Sequence, residues 1–75
     1  MERLKAQTVW FAENRIFVEL SDGRIVGCPL NWFPRLEKAS EQQRSQWELI
    51  CGGTGLHWAG IDEDLSVEGF LTFRP

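Results

Sequence analysis

The chain's only histidine, His57, stands beside Trp58 and five residues before an acidic run, Asp62-Glu63-Asp64. An imidazole within reach of a carboxylate is half of a general acid–base pair. Carboxylate oxygens are also hard ligands for a divalent cation. A third use for such a stretch is an acidic contact surface, where charge complementarity speeds encounter with a basic partner and rejects wrong ones. Spacing separates these chemistries. In an extended segment neighbouring side chains turn to opposite sides, so Asp62 and Asp64 can share a face while Glu63 leaves it. Two carboxylates do not fill a metal shell, and the glycine and distal glutamate of a calcium loop are missing. Acid–base catalysis needs a nucleophile or a substrate pocket as well. Ser66 and Cys51 are at hand, but no nucleophile-positioning motif surrounds either. We therefore assign no catalytic, cofactor-binding or metal-binding residue. His57, Trp58, Asp62, Glu63 and Asp64 are read as a partner-facing surface. The alternative is a small-molecule or metal-binding module, with possible enzymatic activity, centred on His57 and the Asp62 and Asp64 carboxylates.

Other stretches invite chemistry and do not carry it. Gly52-Gly53-Thr54-Gly55 looks like a phosphate cradle, but it follows a helical pattern instead of opening one, and the P-loop lysine is absent. Cys28 and Cys51 lack the paired short spacings of a zinc site. Both are read as reduced core residues, because Met1-Glu2-Arg3-Leu4-Lys5 is charged, no apolar signal segment follows, and disulfides are rare in the cytosol. The expected location is cytoplasmic. Trp32-Phe33-Pro34-Arg35 is read as core, with Arg35 reaching out to an acid. Eleven acids against eight bases give a net charge of −3 with no basic stripe, which argues against direct nucleic-acid binding. No apolar run is long enough to span a membrane.

The elements that must position these residues follow from periodicity. Residues 4–12 alternate as a first strand, with an aromatic on each face. After Glu13-Asn14-Arg15, the alternation of Ile16, Val18 and Leu20 gives a second strand. Ser21-Asp22-Gly23-Arg24 predicts a type I′ hairpin turn. A third strand runs from Arg24 to Cys28 and is ended by Pro29. Asn31 is expected to cap a short helix carrying Trp32 and Phe33 in its first turn, with Pro34 tolerated there. Ser40 and Gln43 have capping-box spacing and open a second helix. Across both helices Leu36, Ala39, Gln43, Trp47, Ile50 and Cys51 then form one face packed on the sheet, with Leu49 off it, and Gly52-Gly53-Thr54-Gly55 ends the second helix. Leu56 and Trp58 point inward from a fourth strand and His57 outward, followed by Leu65 and Val67 at period two. Residues 67–73 fit a helical turn or a strand equally well.

The expectation is one small α+β domain spanning residues 1–75: an antiparallel β-meander of three strands, a fourth C-terminal strand and two short helices on one face, in the order β-β-β-α-α-β. A chain this short buries roughly 60% of its unfolded surface. Four tryptophans, five phenylalanines and a 43% hydrophobic composition supply the core. A homodimer through Leu49 or the edge strand Arg24–Cys28 is a further expectation.

The blocks Pro29-Leu30-Asn31-Trp32-Phe33-Pro34-Arg35-Leu36, Gln43-Arg44, Trp47, Gly55-Leu56-His57-Trp58 and Asp62-Glu63-Asp64-Leu65-Ser66-Val67 together resemble the bacterial family of domain of unknown function 2442. The resemblance runs from the first strand through Leu71, and Ala59 stands where such proteins often have proline. It implies a small α+β domain in gene neighbourhoods of the toxin–antitoxin kind, beside another small protein. It implies no catalytic residues. On that footing the chain is expected to be a non-enzymatic, antitoxin-like interaction protein whose partner is basic and encoded nearby.

Overall fold

The computed structural model describes residues 4–72 and is α+β, with two three-stranded antiparallel sheets and three short helices. The first sheet is the expected meander: β1 (Ala6–Ala12), β2 (Arg15–Leu20) and β3 (Ile25–Pro29), in that order across the sheet. Glu13 and Asn14 both take positive φ, 53° and 61°, so the tight two-residue turn of I′ form lies here. The Asp22-Gly23 turn differs from its expectation, because only Gly23 is left-handed, at φ 92°. Its amide donates to Leu20 C=O, and the Leu20 amide donates to Arg24 C=O. This is a three-residue loop with a glycine bulge. The Asp22 carboxylate accepts from the Arg24 amide and Nε at 3.0 and 2.6 Å, which holds its pKa below the ordinary value, chiefly through the backbone bond.

A single 3₁₀ turn, Leu30–Trp32, leads into α1 (Pro34–Lys38). Asn31 therefore does not cap the helix. Phe33 occupies the N-cap and Pro34 the first helical position, where its missing N–H costs no intrahelical bond. The Ser40–Gln43 capping box forms in both directions, at 3.1 and 3.0 Å, and opens α2 (Glu41–Ser45).

Beyond Ser45 the expectation fails. Trp47–Ile50 is a strand, β4, where the helix was expected to continue. It pairs with β5 (Gly55–Trp58), which pairs with β6 (Glu63–Ser66), so the predicted lone fourth strand is the centre of a second meander. The physical reason is that Trp47 and Leu49 share a face at period two, opposite Trp58 and Leu56. Leu49, which does not fit a helical stripe, fits this one. The glycine-containing segment Cys51–Gly53 is accordingly the turn of a hairpin, with Gly52 and Gly53 at φ 68° and 98°. Cys51 is exposed at φ 54°, which corrects its assignment to the core. Residues 67–72 form a helix, α3 (Val67–Thr72), so Val67 begins a helix instead of ending a strand. Phe73 lies outside the described residues.

One core lies between the sheets. Ile16, Val18 and Leu20 of β2, Leu36 of α1, and Leu56 and Trp58 of β5 are all within 2% of complete burial. Burying side chains of this size stabilises by about 1.5–3 kcal/mol each relative to exposure. Phe33 and Phe70 stack with centroids 5.5 Å apart, docking α3 beside α1. Cys28 is buried against Phe70, and burial pushes its thiol pKa up, which makes it an inert core residue.

Candidate functional site

The central strand of the second sheet positions the site. Alternation along β5 sends Leu56 and Trp58 into the core and turns His57 outward. The register then decides its neighbours. Glu48 of β4 and Asp64 of β6 lie directly opposite His57 on either side, so Glu48, His57 and Asp64 form a row across the outer face. Cross-strand pairs of this kind bring Cβ atoms within about 4.5–5.5 Å. His57 Nδ1 is hydrogen-bonded to Asp64 Oδ1. The imidazole is about one quarter exposed and the carboxylate about two thirds.

This environment raises the His57 pKa above its ordinary value. The Asp64 hydrogen bond is the largest cause, partial desolvation opposes it, and the charges of Asp64, Glu48 and Asp62 add to it. Asp62 belongs to the same acidic surroundings but not to a strand. It ends a 3₁₀ turn, Ala59–Ile61, in a left-handed conformation at φ 52°. Its carbonyl accepts from Arg35 Nη1 at 2.8 Å.

Of the five residues read from the sequence as a surface, the fold thus gathers three, His57, Asp62 and Asp64. Glu63 pairs opposite Trp58, on the other face of the sheet, and is half-buried. Trp58 is a correction. It is 0% exposed, and its indole N–H donates to Arg44 C=O at 3.0 Å, so it anchors the core and presents nothing to a partner. Glu48 is the residue the sequence reading missed. Its signal was the Trp-Glu-Leu-Ile alternation, visible once Leu49 is taken as inward-facing.

Chemically the row is an imidazole held between carboxylates on an open sheet. Ser66 is engaged elsewhere, its hydroxyl accepting from the Gly69 amide at 2.8 Å at the start of α3. Among the described residues no three of His, Cys, Asp and Glu converge as a metal ligand set. Asp62 does not bring its carboxylate into the row, because the 3₁₀ turn carries it off the strand. A cleft beside β1 and another beside α3 are lined by neither His57, Asp62 nor Asp64. No described helix is long and apolar enough to cross a membrane.

The profile of a family described as a protein of unknown function, DUF2442, matches residues 6–75. The chain belongs to this family. The match spans nearly the whole sequence, including both sheets and the row on β4, β5 and β6. The fold is similar to a solved crystal structure of a protein of unknown function from Rhodospirillum rubrum, at 30% sequence identity and a TM-score of 0.79. That similarity covers 93% of this chain and 87% of the other. No curated protein matches the chain.

Proposed function

We propose that this DUF2442 member is a non-enzymatic protein-interaction domain, the antitoxin-like half of a two-gene module, and that its contact face is the outer surface of the second sheet. The observation that carries this reading is the Glu48–His57–Asp64 row, with Asp62 adjacent. The register sets two acids, Glu48 and Asp64, on either side of one partly exposed imidazole, on a face the core does not need. The charge of Asp62 acts on the imidazole from beyond the strand. The Nδ1 bond to Asp64 leaves His57 Nε2 with no hydrogen bond among the described residues, so it is open to a group on a partner. A basic partner complements this surface and is steered towards it. The net charge of −3 acts in the same direction.

The test is co-expression with the product of the adjacent gene, with this chain tagged. Co-purification of a stoichiometric complex supports the reading, and retrieval of the tagged chain alone sinks it. A cytoplasmic location belongs to the same proposal. The competing small-molecule or metal-binding module is centred on the same His57–Asp64 pair, and bound density or a thermal shift on adding a ligand would favour it over a protein contact.

A homodimer is the second reading. It is favoured by Leu49 on edge strand β4, 44% exposed, and Ile25 on edge strand β3, 55% exposed. Sedimentation at micromolar concentration separates monomer from dimer.

A further inference from the structure

Arg44 on α2 is a fixed cation with donors to spare. It is half-buried, and its Nε and Nη2 donate to the Leu36 and Glu37 carbonyls at 2.8 and 2.7 Å, in the last turn of α1. Its Cζ lies over the Phe11 ring, 5.8 Å from the centroid. A guanidinium carries its five N–H donors in a rigid fork. The two carbonyls occupy the side edge of that fork and hold its plane. The end edge, made by Nη1 and the second Nη2 N–H, has no hydrogen bond among the described residues. No carboxylate pairs with Arg44 among them either.

Arg44 lines a cleft of about 480 Å³ between β1 and the α2–β4 junction. That volume falls within the range of small-molecule sites, about 300–1,000 Å³. Charge in the cleft is graded by exposure. Of the charged residues that line it, Glu13, Arg15 and Glu41 are exposed and Arg44 is half-buried. The least exposed charge is therefore positive. Its neighbours in the lining are apolar, with Val9 and Leu30 buried and Phe11 and Trp47 half-buried. None of Glu48, His57, Asp62 or Asp64 lines the cleft, so it is separate from the face proposed above.

These features set two requirements for an occupant. The end edge of a guanidinium offers two parallel N–H groups, which match the two oxygens of a carboxylate. The apolar lining favours a body that leaves water on binding, and the Phe11 and Trp47 rings suit a flat one. Inorganic phosphate meets only the first requirement, and a neutral apolar compound only the second. The exposed acids Glu13 and Glu41 disfavour further negative charge on the ligand. We propose that the cleft between β1 and α2 binds a small aromatic monocarboxylate, its carboxylate on the end edge of Arg44 and its ring against Phe11 and Trp47.

The probe is 1-naphthoate, titrated into the isotope-labelled full-length protein and followed by NMR. Saturable shifts are expected at the Arg44 Nε–H and at the Phe11 and Trp47 amides, with a Kd of about 1 mM or tighter. The matched control is 1-naphthamide, which keeps the shape and loses the charge. It is expected to bind about tenfold or more weakly, because hydrogen bonds between two charged groups are the stronger ones. The change is made on the ligand, so the folding of a variant does not enter. Naphthoate binding weaker than about 1 mM, equal affinity for the amide, or shifts centred on His57 instead of Arg44 would each overturn the proposal.

Discussion

His57 and Asp64 face each other directly across β5 and β6, with Nδ1 hydrogen-bonded to the carboxylate. The pair fixes the sign of a pH effect. Because the folded-state pKa of His57 is raised, the pair's contribution to stability is complete just below the unfolded value of about 6.5. It is lost as pH rises through the higher folded value. The chain has a single histidine, so an imidazole NMR titration needs no assignment. The wild-type midpoint lies above that of an unfolded peptide. Asp64→Asn returns it to the ordinary range, and Glu48→Gln lowers it by less.

Trp58 tests the claim that the middle of the expected contact surface is core. Trp58→Phe keeps an aromatic ring but strands the Arg44 carbonyl, which costs about 1–3 kcal/mol. Trp58→Ala empties a fully buried site and costs about 3–5 kcal/mol. Urea unfolding followed by far-UV circular dichroism measures both. A neutral Trp58→Ala would place the indole outside the core.

The turn between β4 and β5 separates two adjacent glycines. Gly52 sits at φ 68° with open space around it, so Gly52→Asn, a residue tolerant of this conformation, is close to neutral. Gly53 sits at φ 98°, and an added Cβ would lie 3.2 Å from the Lys5 side chain. Gly53→Ala costs about 1–3 kcal/mol. Thermal unfolding of the two variants side by side distinguishes them.

The capping box is a local test of α2. Ser40→Ala removes the acceptor for the Gln43 amide and costs about 1 kcal/mol. The loss appears in the urea midpoint with an unchanged denaturant slope, since the unfolded chain exposes the same surface.

How much of this was readable in the sequence depends on how local each signal is. The Ile16–Val18–Leu20 alternation and the Ser40–Gln43 box depend on neighbours a few residues away, and the first sheet and the start of α2 were legible. The first helix was expected to open at Asn31, whereas α1 opens at Pro34 behind a 3₁₀ turn. Trp47 and Ile50 are three apart, which suits a helix, while Trp47 and Leu49 are two apart, which suits a strand. Only pairing with Leu56 and Trp58, long-range in origin, decides between them. Glu48 was missed for that reason: the Trp-Glu-Leu-Ile alternation signals its outward turn only once the strand is chosen, and its place beside His57 is a matter of register. Asp62 was misplaced because its left-handed conformation at the end of a 3₁₀ turn has no glycine to announce it. The outward turn of His57 and the division of Glu63 from Asp64 were correctly read from alternation alone.

The central claim is that the Glu48–His57–Asp64 face makes the contact with a basic partner. Calorimetric titration with the purified product of the adjacent gene tests it most directly, comparing wild type with the double charge reversal Glu48→Lys/Asp64→Lys at low and high salt. Circular dichroism establishes beforehand that the variant is folded. The account predicts binding by wild type that weakens with salt, and a loss of about tenfold or more in the variant. Equal affinity for the two proteins, insensitive to salt, would contradict it.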